Sequence, residues 1–254
     1  MKNADRRLLE DWEFNVFGVW NYNKVNKLDE YFSYIREFHN SIDGDIVEVG
    51  VYRGRSLLAT ALLLKELGSS KLVYGFDSFS GFPPIYHPAD ELTEFDKLLS
   101  EGLISRDHYE KHVRLKEYRS FLKGFEVSVA TISSSGDFAK NSREELESKI
   151  RFLGLDNIIL VEGAFSQTMS STRLPNGIFA ALVDCDLYAS YKVALPYIWE
   201  QLSSGGYVFL DEYFSLKFPG ARRATIEFCE SKGLEPTMHT RHPGEFERWY
   251  LMKK

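Results

Sequence analysis

The chain has 254 residues, 44% of them apolar, with 31 Lys and Arg against 37 Asp and Glu for a formal charge of −6. That length and apolar content suit one α/β domain spanning residues 1–254, and the acidic balance argues against the broad basic surface that a nucleic-acid backbone requires, pointing to a small-molecule partner. No apolar run approaches the roughly 18 residues of a membrane span, and the start "MKNADRRLLEDWEF" lacks the apolar stretch and cleavage site of a secretory signal, so no membrane association and a cytoplasmic location are expected.

Residues 1–40 are rich in aromatic and charged side chains and read as a helical N-terminal extension, with "DWEFNVFGVWNY" (residues 11–22) as core or oligomer contact. Short apolar runs ending in glycine or an acid follow at 45–50 ("DIVEVG") and 72–77 ("LVYGFD"), with a helix expected over Arg55–Leu67 between them. The loop "SFSGFPP" comes next, beside the acid that ends the second run. Residues 86–125 look like a helical insertion, and the apolar stripe Leu98, Leu99, Leu103 and Ile104 lets it pack as a lid. Within it, "HYEKH" spaces His108 and His112 one turn apart without the order of a zinc-protease motif, so both read as a solvated lid face. The basic run "LKEYRSFLK" reads as helix surface. "VSVATISSSGDF" (residues 127–138) suggests one more strand before a helix around Ser142–Phe152. Strand-like runs then recur at 158–163, 180–186 and 206–212, alternating with helices expected over Tyr188–Leu202 and Ala221–Lys232. "LEPTMH" and "FERWYLM", joined by "TRHPGE", close the chain as a hairpin-like pair. Cys185 and Cys229 are too few for a disulfide framework and read as buried small hydrophobes.

The first run leads into a turn with the spacing Glu48-x-Gly50-x-x-x-Gly54. Strand, glycine turn and helix together bring bare backbone and a helix N-terminus against a ligand. Tyr52 stands where a pyrophosphate-binding motif carries its second glycine, so a dinucleotide fits poorly. S-adenosylmethionine, a nucleoside without pyrophosphate, fits better. Asp77, ending the second run, suits its ribose hydroxyls, and Glu48, Gly50, Tyr52, Gly54, Ser56 and Ser78 complete the expected donor site.

"LVDCDLYASY" and "VFLDEYF" place Asp184, Asp186, Asp211 and Glu212 at the ends of apolar strands, where open α/β sheets bind ligands. Converging carboxylates repel one another unless paired or bound to metal, and hard oxygen donors suit Mg²⁺ or Mn²⁺. Asp186 directly precedes an expected helix and so reads either as its cap or as a proton acceptor; Asp184 shares the catalytic role, and His39, His87 and His239 are alternative bases.

The pieces "VEVGVYRG", "FDSFSGFP", "LVEGAFSQT", "VDCDLYASY", "SSGGYVFLDEY" and "PGARRATIEF" together resemble the macrocin- and mycinamicin-type O-methyltransferases, which methylate sugar hydroxyls of macrolide antibiotics. The resemblance covers roughly residues 45–230. It implies a Rossmann-like methyltransferase fold with a mostly parallel seven-stranded sheet and helices on both faces, S-adenosylmethionine as donor, and a divalent metal held by Asp184, Asp211 and Glu212. The family commonly has two aspartates where this chain has Asp211-Glu212. The expected activity is metal-dependent O-methylation of a sugar-like, polyhydroxylated acceptor by a homodimer. A nicotinamide-dependent oxidoreductase and a non-catalytic nucleoside-binding protein are the competing readings.

Overall fold

The computed structural model describes residues 8–239 and 246–254. Two helices come first, α1 (Asp11–Phe17) and α2 (Asp29–Phe38). The second is no appendage: Tyr31, Phe32 and Ile35 are fully buried, and Tyr34 stacks on Tyr207 at 4.6 Å and on Phe179 at 5.2 Å. The aromatic stretch before it is divided, with Phe14, Val19 and Tyr22 in the core and Trp12 60% exposed.

The apolar runs form strands β1 (Asp45–Val49), β2 (Val73–Asp77), β3 (Ile158–Glu162), β4 (Ile178–Val183) and β5 (Leu202–Leu210). Every residue of β1, β2 and β4 is buried, because helices cover both faces. On one side lie α2 and α3 (Arg55–Glu66); on the other lie α8 (Tyr188–Gln201) and α9 (Pro219–Lys232), with Tyr191, Leu195, Ala224 and Phe228 packed inward. Two further strands, β6 (Thr237–Met238) and β7 (Trp249–Met252), pair antiparallel, and β7 runs antiparallel to β5. The linking "TRHPGE" and residues 1–7 lie outside the described residues.

The sheet order is β3-β2-β1-β4-β5-β7-β6, with the first five strands parallel. This is the α/β, mostly parallel seven-stranded sheet expected. Chain direction across the sheet reverses between β1 and β4, so the crevice beyond their C-terminal ends is the natural ligand site.

The insertion after β2 contains α4 (Glu94–Ser100) and α5 (Arg106–Lys123). Phe95, Leu98 and Ile104, with Leu99 and Leu103 against them, form a small core of their own. Arg223 of α9 clamps it, reaching Glu94 at 2.7 Å and Glu101 at 2.6 Å. α6 (Arg143–Leu153) and α7 (Phe165–Ser171) flank β3 in the chain.

Two expectations are corrected. Residues 127–138 form turns and no strand: Val127, Val129 and Ile132 are buried against Leu187 and Phe218, away from any sheet edge. His108 and His112 are buried, 3% and 4% exposed, and face the body of the protein instead of solvent. Among the described residues no helix is long and apolar enough to cross a membrane.

Candidate functional site

β1 ends at Val49 and the chain turns through Gly50, at φ 92°, to Gly54, at φ 76°, where α3 starts. A Cβ on Gly50 would run into the carbonyl of Asp184, because the amide of Asp184 donates to Val49 O at 2.9 Å and draws the two strand ends together. Glycine is required there for close approach as well as for its dihedral. Tyr52 is held left-handed at φ 51°, a strained state that its surroundings must enforce.

Asp77 supplies much of that enforcement. Its Oδ2 accepts from the amides of Val51 and Tyr52 at 2.7 Å each, and its Oδ1 accepts from Phe79 N at 2.7 Å. The expected ribose acid therefore also braces the turn, while still lining the cavity. Ser78 closes the neighbouring loop by donating to Gly81 O at 3.1 Å. Glu48 lies beneath the turn, fully buried and off the cavity wall; Ser56 donates to one of its oxygens at 2.7 Å, and the other has no partner. Burial pushes its carboxyl up to about 8.

Across the crevice, Val183 pairs with Leu210, so the residues following β4 and β5 emerge side by side. Asp184, Asp186 and Glu212 each bring a carboxylate oxygen within 4.8 Å of the others. Asp186 adopts φ 59°, which points its side chain into this group. It does not cap α8: that amide, Tyr188 N, donates instead to Asp90 of the insertion at 2.7 Å. Asp211 turns toward Lys27, whose Nζ lies 2.9 Å from its Oδ2 and 3.4 Å from Asp184 Oδ2. The other oxygen of Asp211 is buried without a partner. Lys217 Nζ stands 3.9 Å from Glu212 Oε1.

The electrostatics follow from crowding. Burial, reinforced by the charge of Asp211, raises the Asp184 carboxyl to about 7. Burial and then Glu212 and Asp184 push Asp186 well up. Burial also acts upward on Asp211, but Lys27 outweighs it and holds that group below the usual range. Desolvation opposes the charge on Lys27, and Asp184 and Asp211 override it, so the lysine stays protonated. Three clustered hard oxygen donors, with the orphaned oxygen of Asp211 beside them, fit Mg²⁺ or Mn²⁺. Of the three expected ligands, Asp184 and Glu212 belong to the tight group, Asp186 joins them, and Asp211 stands beside it.

Turn and acids share one cavity of about 1030 Å³, at the top of the usual range of roughly 300–1,000 Å³ for ligand pockets. Trp20, with Arg55 stacked on it at 4.1 Å, forms one rim, and Leu115 and Arg119 of α5 form another. Part of the basic run thus faces the cavity. His39, His87 and His239 do not line it: His87 stacks on Tyr188 at 4.1 Å and His239 bonds Tyr207 at 2.7 Å. Cys185 and Cys229 are buried and free, as expected.

Lys27, Lys217 and Asp90 are residues that sequence reasoning passed over, and His108 and His112 are ones it placed on the wrong face. The two histidines donate ring N–H groups to the carbonyls of Ser215, at 2.6 Å, and Leu216, at 2.8 Å, fixing the loop that carries Lys217. Only long-range contact identifies them; no local spacing does.

Known proteins share this plan. The family model of macrocin-O-methyltransferase (TylF) matches residues 1–139 and 130–241. The enzyme "8-demethyl-8-(2,3-dimethoxy-alpha-L-rhamnosyl)-tetracenomycin-C 4'-O-methyltransferase" of Streptomyces olivaceus is 26% identical over 83% of this chain and 68% of its own length. The mycinamicin III 3''-O-methyltransferase of Micromonospora griseorubida is 26% identical over 77% of this chain and 64% of its own. The chain thus spans about two thirds of the length of these relatives. Among solved structures, the O-methyltransferase NovP superposes with a TM-score of 0.60 at 19% identity, covering 88% of this chain and 79% of NovP. The calicheamicin methyltransferase CalS11 gives 0.59 at 21% identity, covering 89% and 76%. Because that family model matches well over half of its residues, the chain belongs to the macrocin O-methyltransferase family.

Proposed function

We propose that the protein transfers a methyl group from S-adenosylmethionine to a hydroxyl of a sugar or similarly polyhydroxylated small molecule, with a divalent cation at the acid cluster. The observation that carries this reading is the meeting, in one cavity, of a glycine turn backed by Asp77 with the carboxylates of Asp184, Asp186 and Glu212. The relatives' names, sugar and natural-product O-methyltransferases, support the acceptor class.

When bound, the donor would supply an activated methyl on a sulfonium, and a divalent cation, which Asp184, Asp186 and Glu212 would hold with Asp211 adjacent, would supply a Lewis acid for the acceptor oxygen. The rest falls to the chain. The turn at 50–54 and Asp77 orient the donor, and much of the rate comes from holding the two reactants in line. Asp186, in its carboxylate form, takes the proton from the hydroxyl that attacks. Trp20 and the α5 face of the cavity shield the reaction from water.

Asp184→Asn tests this directly. Methyl transfer to a polyol panel should fall at least about 100-fold, the scale of losing a positioned proton or charge partner, while calorimetry shows S-adenosylhomocysteine still bound. Full turnover in EDTA would reject the metal. An unfolding midpoint raised by NAD(H) and unmoved by S-adenosylhomocysteine would favour the oxidoreductase reading, which Tyr52 in the turn argues against.

A further inference from the structure

Lys27 reaches the acid cluster from the N-terminal segment on a loop that is tied to itself. The Asn26 amide donates to Asn21 O at 3.0 Å and Lys24 O at 2.8 Å, and its Oδ1 accepts from Leu28 N at 2.8 Å. Leu28 is fully buried, and Trp20 N donates to Arg55 O at 3.1 Å. The lysine is therefore delivered from a fixed point, with its side chain 28% exposed. Its Nζ bridges the ends of β4 and β5, 3.4 Å from Asp184 Oδ2 and 2.9 Å from Asp211 Oδ2, as an ion shared between two carboxylates would.

Charge balance sharpens the point. With all four ionised, as a bound cation would favour, Asp184, Asp186, Asp211 and Glu212 bring four negative charges and Lys27 and Lys217 return two positive ones, a remainder that one divalent ion neutralises. The ligand oxygens nearest one another exclude Asp211, the carboxylate Lys27 holds most closely. Yet the second oxygen of Asp211 is buried and unpartnered, a donor the ammonium leaves unused.

We infer that Lys27 is a built-in cation that occupies the Asp184–Asp211 side of the cluster and competes with the divalent ion for it. The inference rests on the metal reading above. An ammonium a few ångströms from a divalent ion repels it, and removing that charge frees both oxygens of Asp211 for coordination.

The test is binding of Mn²⁺ to the full chain without donor or acceptor, read by calorimetry and by the paramagnetic spectrum of free ion. Lys27→Met, of similar length and uncharged, should bind at least about tenfold tighter than the native chain, given the closeness of the removed charge. Lys27→Gln serves the same purpose if the methionine variant loses its thermal transition, and Lys27→Arg, keeping the charge, should stay near the native affinity. Ion binding seen only in the neutral variants would support the competition and reject metal use by the native protein. Equal affinities in the native and neutral chains would overturn the competition and leave the metal reading standing, and weaker binding in the neutral variants would overturn it too. No Mn²⁺ bound by any chain would overturn both.

Discussion

Glu48→Gln removes a fully buried carboxyl whose second oxygen has no partner. Burial raises this group from 4.5 to about 8; the Ser56 hydroxyl and Lys27 pull it down, and Asp184 and Asp77 push it up. A folded-state value above the unfolded one means that the folded chain keeps the proton longer. The associated stability is complete below about pH 4.5 and is lost as pH rises through about 8. At about 1.4 kcal/mol per pH unit, the loss from pH 5 to pH 8 is on the order of 4 kcal/mol. Glutamine does not titrate, so the variant should gain stability relative to the native chain by that amount over this window, after which the difference levels off. For a chain of this size that is roughly 10 °C in the unfolding midpoint. The assay is thermal unfolding of both proteins side by side at pH 5, 6.5, 8 and 9, free of metal and donor. A gap that stays constant across this range would refute the reasoning, since it would mean that Glu48 titrates alike in the folded and unfolded chains.

The same physics yields two further expectations. Asp90→Ala leaves the first amide of α8 without its acceptor inside a closed region, since Asp90 is 1% exposed; a loss of about 2 kcal/mol follows, seen as a midpoint lowered by roughly 4–8 °C, whereas an unchanged midpoint would deny Asp90 the capping role. Gly50→Ala places a methyl group against the Asp184 carbonyl at a dihedral that alanine adopts poorly; strain alone costs about 1–3 kcal/mol, and the variant should lose both stability and Mn²⁺ affinity as Asp184 shifts. Retained affinity would show that the two strand ends are not tightly coupled.

The strand-forming runs announced themselves because buried parallel strands need continuous apolar residues, and β1, β2 and β4 are buried at every position. The acids at their ends were legible for the same reason, since Asp77, Asp184 and Asp211 each stand where an apolar run stops. "HYEKH" misled because periodicity in a highly charged helix reports polarity and not exposure. Those two rings are buried against Phe95 and Phe214 only because carbonyls from the 215–216 loop accept their protons. The alternation in residues 127–138 likewise marks an apolar face, but the face packs on side chains instead of joining a ladder.

Local pattern therefore determined the sheet, the glycine turn and the set of acids at the crevice. What only the tertiary structure decided is how those acids are partnered: Lys27 lies 157 residues from Asp184 and 184 from Asp211, and Asp90 lies 98 from the amide it caps. The tendency to form a covered strand is written into a run's own apolar residues, because side-chain direction along a strand is fixed by the local backbone. A charge's partner is a property of the closed fold, set by which distant loop arrives at the strand end, and no spacing along the chain encodes it.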